Sequence, residues 1–102
     1  MGVRAEGWVI VHITRAGEKD IYKVFASWID GDRWRVSSGT FDKSQLKDQG
    51  DEFIWPQASG SVYILPKEGE GLLTAYTCTV LDDAIKGARD QGTTMKRIKL
   101  CD

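Results

Sequence analysis

Apolar and polar positions alternate along most of this chain with the period of two that marks β-strands. The first stretch, Trp8-Val9-Ile10-Val11-His12-Ile13-Thr14, is apolar at consecutive positions and reads as a strand buried on both faces. Ala16 to Asp20 is a polar turn. Ile21 to about Ile29 follows as a second strand, apolar at Tyr22, Val24, Ala26 and Trp28 and mixed at the odd positions, including Lys23 and Ser27. A third strand from Arg33 to Ser38 carries Trp34 and Val36 on one face and Arg33, Arg35 and Ser37 on the other. Asp30-Gly31-Asp32 between them is a hairpin signal, because glycine takes the positive φ a tight turn requires. A two-residue loop at Asp30-Gly31 would pair Trp28 with Arg33 and bring arginines onto the apolar face. A three-residue loop pairs Trp28 with Trp34 and Ala26 with Val36. Because a one-residue slip moves every side chain to the other face, the pattern predicts the three-residue loop.

Asp42 to Gly50 reads as one or two helical turns or a loop, with Asp42 as cap, Gln45 three residues on, and Gly50 as terminator. Phe53-Ile54-Trp55 is a brief strand ended by Pro56. A turn over 57–61 leads to the strand Val62-Tyr63-Ile64-Leu65, and the glycine-rich turn 66–71 follows. Leu72 to Thr79 is expected as a longer strand, with Leu72, Tyr76, Cys78 and Val80 on one face and Thr74 among them. A helix then begins with the acids Asp82 and Asp83, has Lys86 and Arg89 further on, and presents Leu81, Ile85 and Ala88 on one face. Gly92 is its natural C′ residue. Thr94 to Leu100, charged at alternate positions, fits an edge strand. The predicted fold is a single α+β domain over residues 1–102: a mainly antiparallel sheet of about six to seven strands, with one main helix near the C-terminus packed on one face.

Composition supports an ordinary globular domain. Of 102 residues, 41% are hydrophobic and 28% charged, with eleven glycines and two prolines, which suits turns rather than disorder. The net charge of −1 gives no global field to draw in nucleic acid or an anionic membrane. The one basic cluster is Lys96, Arg97 and Lys99. No apolar run reaches membrane-spanning length. The N-terminus lacks a signal-peptide pattern, and Glu6 breaks the myristoylation motif that Gly2 begins. Cys78 and Cys101 are read as reduced, with the cytoplasm as the expected compartment.

Candidate chemistry is sparse. One histidine, His12, and two separated cysteines make no zinc spacing, so no metal and no cofactor is expected. Cys78 with His12 is a nucleophile pair only if the fold joins them, and a small buried cysteine is the commoner outcome. The loop Ala58-Ser59-Gly60-Ser61 lacks the lysine and the helix start of a phosphate loop. The pairs Asp30/Asp32, Asp51/Glu52 and Asp82/Asp83 sit where turns or a helix start need acids, and Asp30-x-Asp32 lacks the other ligands of a calcium loop. Four tryptophans are the salient chemistry. Trp28, Trp34 and Trp55 with Arg33 and Arg35 make either a core or an aromatic-basic surface, and such a surface stacks single-stranded bases or anchors a protein.

Two patterns resemble small phage and prophage proteins. One is Ser27-Trp28 with Gly31-Asp32-Arg33-Trp34-Arg35-Val36-Ser37-Ser38-Gly39, and the other is Ser59-Gly60-Ser61-Val62-Tyr63 with Tyr76 and Val80-Leu81. Together they span about the middle half of the chain, which lacks the extra residues that group often carries before Gly-Asp. The resemblance implies a phage- or prophage-encoded accessory protein, and it brings no catalytic residue with it. The leading expectation is a non-enzymatic protein that binds a protein partner through the hairpin at Asp30-Gly31 and an aromatic such as Trp34 or Trp55. The binding set is Trp28, Asp30, Gly31, Arg33, Trp34, Arg35 and Trp55. The alternatives are a single-stranded nucleic-acid binder using Trp28, Trp34, Arg33 and Arg35, and an enzyme centred on Cys78. No membrane partner is expected, and the C-terminal edge strand allows a monomer or a homodimer.

Overall fold

Two strands with apolar residues on both faces demand cover on both sides, and they set the architecture. The computed structural model describes residues 2–101. It contains β1 (Gly2–Arg4), β2 (Gly7–Thr14), β3 (Ile21–Trp28), β4 (Arg33–Val36), β5 (Lys47–Asp48), β6 (Glu52–Pro56), β7 (Val62–Pro66), α1 (Ala75–Asp90) and β8 (Thr94–Ile98). These form two four-stranded sheets, an outer one in the order β1-β7-β6-β5 and a central one in the order β4-β3-β2-β8. Every pairing is antiparallel except β1 with β7. The fold is α+β with one α-helix near the C-terminus, as predicted. The single sheet of six to seven strands is corrected to two sheets.

The reason lies in β2 and β3. Trp8 to Val11 and Val24 to Ser27 are buried without a break. Their even positions Trp8, Ile10, Val24 and Ala26 pack on Phe53, Trp55, Tyr63 and Leu65 of the outer sheet. Their odd positions Val9, Val11 and Phe25 pack under Leu81 of α1. The central sheet therefore lies between the outer sheet and the helix. Buried indoles need an acceptor. Trp8 Nε1 donates to Pro66 O at 2.7 Å and Trp55 Nε1 to Asp42 O at 3.4 Å.

One expected element is replaced and another is shortened. Leu72 to Thr79 is not a strand, because α1 already begins at Ala75 with Thr74 as its N-cap. Thr74 Oγ1 accepts from the Thr77 N–H at 3.1 Å. Thr77 and Leu81, four residues apart, form the buried stripe, so a helical period was superposed on the apparent alternation. Asp82 and Asp83 fall mid-helix as a result, and Asp82 pairs with Arg97 of β8. Gly92 stands at C′ with φ 79°, as expected. The segment 42–50 also unwinds early. Asp42 caps a 3₁₀ turn over Lys43–Gln45, accepting from the Ser44 N–H at 2.8 Å, but Lys47–Asp48 then pair with β6. Hydrogen bonds from Ser44 hold the Asp42 carboxyl below the usual carboxylate range. The Lys67 ammonium, followed by the Gly50 N–H, does the same for Asp48.

The hairpin register is also corrected. Trp28 pairs with Arg33 and Ala26 with Arg35, while Trp34 lies opposite Ser27 and Val36 opposite Phe25. The loop comprises Ile29 to Asp32, with the Asp32 N–H donating to Ile29 O at 3.1 Å and Gly31 at φ 72°. The expectation assumed one apolar face, whereas β3 is buried on both. Trp34 and Val36 therefore align with Phe25 on the helix side. The arginines reach the outer-sheet side with their guanidinium groups over aromatic rings. The Arg33 guanidinium lies 5.4 Å from the Trp28 ring centre and that of Arg35 6.0 Å from Tyr63.

Candidate functional site

The helix covers β2, β8 and Phe25, and leaves β4 bare: all four of its residues are exposed. The bare face carries a run of apolar side chains. Trp34 is 45% exposed and stacks on Phe25 with ring centres 5.7 Å apart. Val36 lies opposite Phe25. Leu72 sits beside Ser27, whose hydroxyl donates to Leu72 O at 3.3 Å, and Ser27 is itself opposite Trp34. Tyr76, in the first turn of α1, is 56% exposed. Ile29 projects from the hairpin loop, whose backbone is fixed by the Ile29 N–H donating to a Glu6 carboxylate oxygen at 2.8 Å. Ile29, Trp34, Val36, Leu72 and Tyr76 are five of the six large hydrophobic residues left exposed among the described residues.

Beside this face is a cleft of about 650 Å³, lined by Trp28, Gly31, Asp32, Arg33, Trp34, Arg35 and Tyr76 together with Gly2 and Val3 of β1. β1 and β4 are outermost strands of their respective sheets, so the cleft runs between two sheet edges. Trp28, which lines it, ties the hairpin to the end of β1 by donating from Nε1 to Arg4 O at 3.0 Å.

The hairpin set expected from sequence, Trp28, Asp30, Gly31, Arg33, Trp34 and Arg35, is thus held on one short hairpin. Trp55 is the correction. It is fully buried between the sheets and presents no surface. Ile29, Val36, Leu72 and Tyr76 escaped the sequence reading. The Thr74 cap would have revealed Tyr76 by placing it in the first helical turn, off the stripe through Thr77 and Leu81.

Other candidates separate. His12 faces the outer-sheet side, stacked on Tyr22 at 4.7 Å and bonded to Asp20 at 3.0 Å. Cys78 belongs to α1 on the opposite side, 4.0 Å from an Arg97 nitrogen. The two lie across the central sheet from each other and form no nucleophile–base pair. No disulfide joins Cys78 and Cys101. Among the described residues, no three His, Cys, Asp or Glu side chains converge as a metal set, and no helix is long and apolar enough to cross a membrane.

No protein-family model, curated protein or solved structure matches the chain.

One buried group behind the cleft makes a prediction. Tyr63 is 1% exposed, lies under Arg35, and its hydroxyl has no hydrogen-bond partner among the described residues. An unsatisfied buried hydroxyl costs about 1–3 kcal/mol. Tyr63→Phe is therefore expected to stabilise the protein by about 1 kcal/mol in urea denaturation, and a clear loss of stability would mean that the hydroxyl is satisfied in solution.

Proposed function

We propose that this chain is a small non-enzymatic accessory protein of phage or prophage type, acting in the cytoplasm by binding a protein partner through the β3–β4 hairpin. The observation that carries the reading is the uncovered half of the central sheet, where Trp34, Val36, Leu72 and Tyr76 lie exposed beside a cleft. Large aromatics next to arginine are the side chains that most often anchor protein interfaces. The Trp…Gly-Asp-x-Trp-Arg pattern shared with small phage proteins supports the phage assignment. The separation of Cys78 from His12 favours binding over catalysis.

A second reading rests on the same aromatics. Trp34 and Tyr76 beside Arg33 and Arg35 suit stacked bases and phosphates of a single strand. Against it, the chain has a net charge of −1, and Asp30 and Asp32 share the hairpin with the arginines.

The test compares immobilised protein with the exposed-surface variant Trp34→Glu/Tyr76→Glu and with Lys86→Glu on α1, using bacterial extract. A partner retained by the original chain and by Lys86→Glu is expected to be lost from the double variant. Equal capture by all three overturns the reading. Saturable quenching of tryptophan fluorescence by mixed-sequence single-stranded DNA, fading as salt rises, would transfer the site to nucleic acid.

A further inference from the structure

The free edge of β4 carries backbone groups as well as side chains. The Ser37 N–H donates to Val24 O at 2.9 Å, which marks residues 24 and 37 as a hydrogen-bonded pair. In an antiparallel ladder these pairs alternate. With the observed register, Arg35 and Arg33 turn their backbone groups toward β3, whereas Trp34 and Val36 turn theirs away. β4 is outermost in its sheet, so the N–H and C=O of Trp34 and Val36 line an unpaired edge. Beyond Val36 the edge closes, because Gly39 O accepts from the Ala58 N–H at 2.9 Å.

The charges beside this edge lie over aromatic rings but have no carboxylate partner among the described residues. Arg33 and Arg35 form no ion pair among the described residues; the nearest polar contact is Arg33 Nε donating to the Asp30 carbonyl at 3.4 Å. Asp32 lies at the turn end of the cleft and does not bond to either arginine. The two faces of the edge therefore ask for different side chains: apolar ones beside Trp34 and Val36, acidic ones beside Arg33 and Arg35.

We infer that the partner binds by adding an extended acidic segment to the free edge of β4, with apolar residues on the Trp34 side alternating with carboxylates on the arginine side. This rests on the protein-binding reading and names the partner's form. Main-chain bonds to Trp34 and Val36 supply attachment, and the alternating side chains supply register and selectivity. A second copy of this chain is a poor occupant. Antiparallel pairing of β4 with itself across a two-fold axis keeps each face in place, so Arg33 and Arg35 of one copy would meet the same arginines of the other, and like charges directly opposite are destabilising.

The test is an NMR titration of isotope-labelled protein with two blocked peptides, one alternating Ile and Glu, the other Ile and Lys, each probe also run against the Arg33→Glu/Arg35→Glu variant. The Ile/Glu peptide is expected to bind at least about tenfold more tightly than Ile/Lys at low salt. It should also slow hydrogen exchange at the Trp34 and Val36 amides, and the variant should reverse the preference. Thermal unfolding of the variant checks that these exposed substitutions leave the fold intact. Equal binding of the two peptides, binding of neither, or amides of Trp34 and Val36 that exchange as freely as before overturns strand addition. If Trp34→Glu/Tyr76→Glu still abolishes partner capture, the protein-binding reading survives that failure. If capture also persists, both fall.

Discussion

Trp8→Ala is expected to destabilise the protein by about 3–5 kcal/mol. Trp8 is fully buried where the two sheets face each other. Its ring meets Phe53 edge-on, with centres 6.2 Å apart and planes at 89°. Its indole nitrogen is bonded to Pro66 at 2.7 Å, and its carbonyl accepts from the Gly71 N–H at 2.8 Å. Truncation removes one of the two fully buried indoles, opens a cavity between stiff β-sheets that collapse poorly, and leaves the Pro66 carbonyl without its donor. A domain of this size is stable by about 5–15 kcal/mol in all, so the variant is expected to be partly unfolded under mild conditions. Trp34→Ala supplies the contrast. At 45% exposure its loss is expected to cost about 1 kcal/mol. Urea unfolding of the two variants, followed by far-UV circular dichroism, separates them. Equal costs would contradict a core divided between two sheets.

The same contrast shows what was legible in the chain. β2, β3, β6 and β7 were readable because each carries enough apolar residues to declare a period, and their ends fall within a residue or two of the sequence expectation. β1 and β5 were not. Gly2–Arg4 buries only Val3, and Lys47–Asp48 buries neither residue, so no pattern exists to read. The start of α1 was hidden by residues of high β-propensity, Thr74, Tyr76, Thr77 and Thr79, whose alternation looked like a strand until the Thr74 cap and the packing of Leu81 overrode it. At the site, the hairpin was legible from Asp30-Gly31, but its register was not. Register follows from the apolar pattern only when one face is buried, and here tertiary packing buries both faces of β3. The arginines that seemed to forbid the observed pairing are accommodated by the rings of Trp28 and Tyr63.

The position where β4 ends carries the second large prediction. Ser37 and Gln57 are both buried, and the Ser37 hydroxyl serves two neighbours at once: it accepts from the Val24 N–H at 2.8 Å and donates to Gln57 Oε1 at 2.7 Å. This hydroxyl stands where a strand carbonyl would otherwise close the ladder, and it ties the central sheet to the loop after β6. The chain next passes through Gly39 at φ 98°, where an added Cβ would come within 2.5 Å of the Ile21 side chain. Ser37→Ala is expected to strand both the Val24 N–H and the Gln57 oxygen, at a total cost of about 2–4 kcal/mol. Gln57→Ala removes the acceptor and leaves the Ser37 hydroxyl without one, and is expected to cost about 1–3 kcal/mol. Because the two changes orphan each other's partner, their effects are not independent. The double variant is expected to fall short of the summed single costs by about 1 kcal/mol or more. Strict additivity in urea denaturation would mean that each residue is held by other contacts. The network also fixes the exit of β4, so Ser37→Ala is expected to speed exchange at the Tyr22 and Thr40 amides, which bond to each other's residues just beyond it. A stability loss without that local change would assign the cost to the cavity alone rather than to the orphaned donor and acceptor.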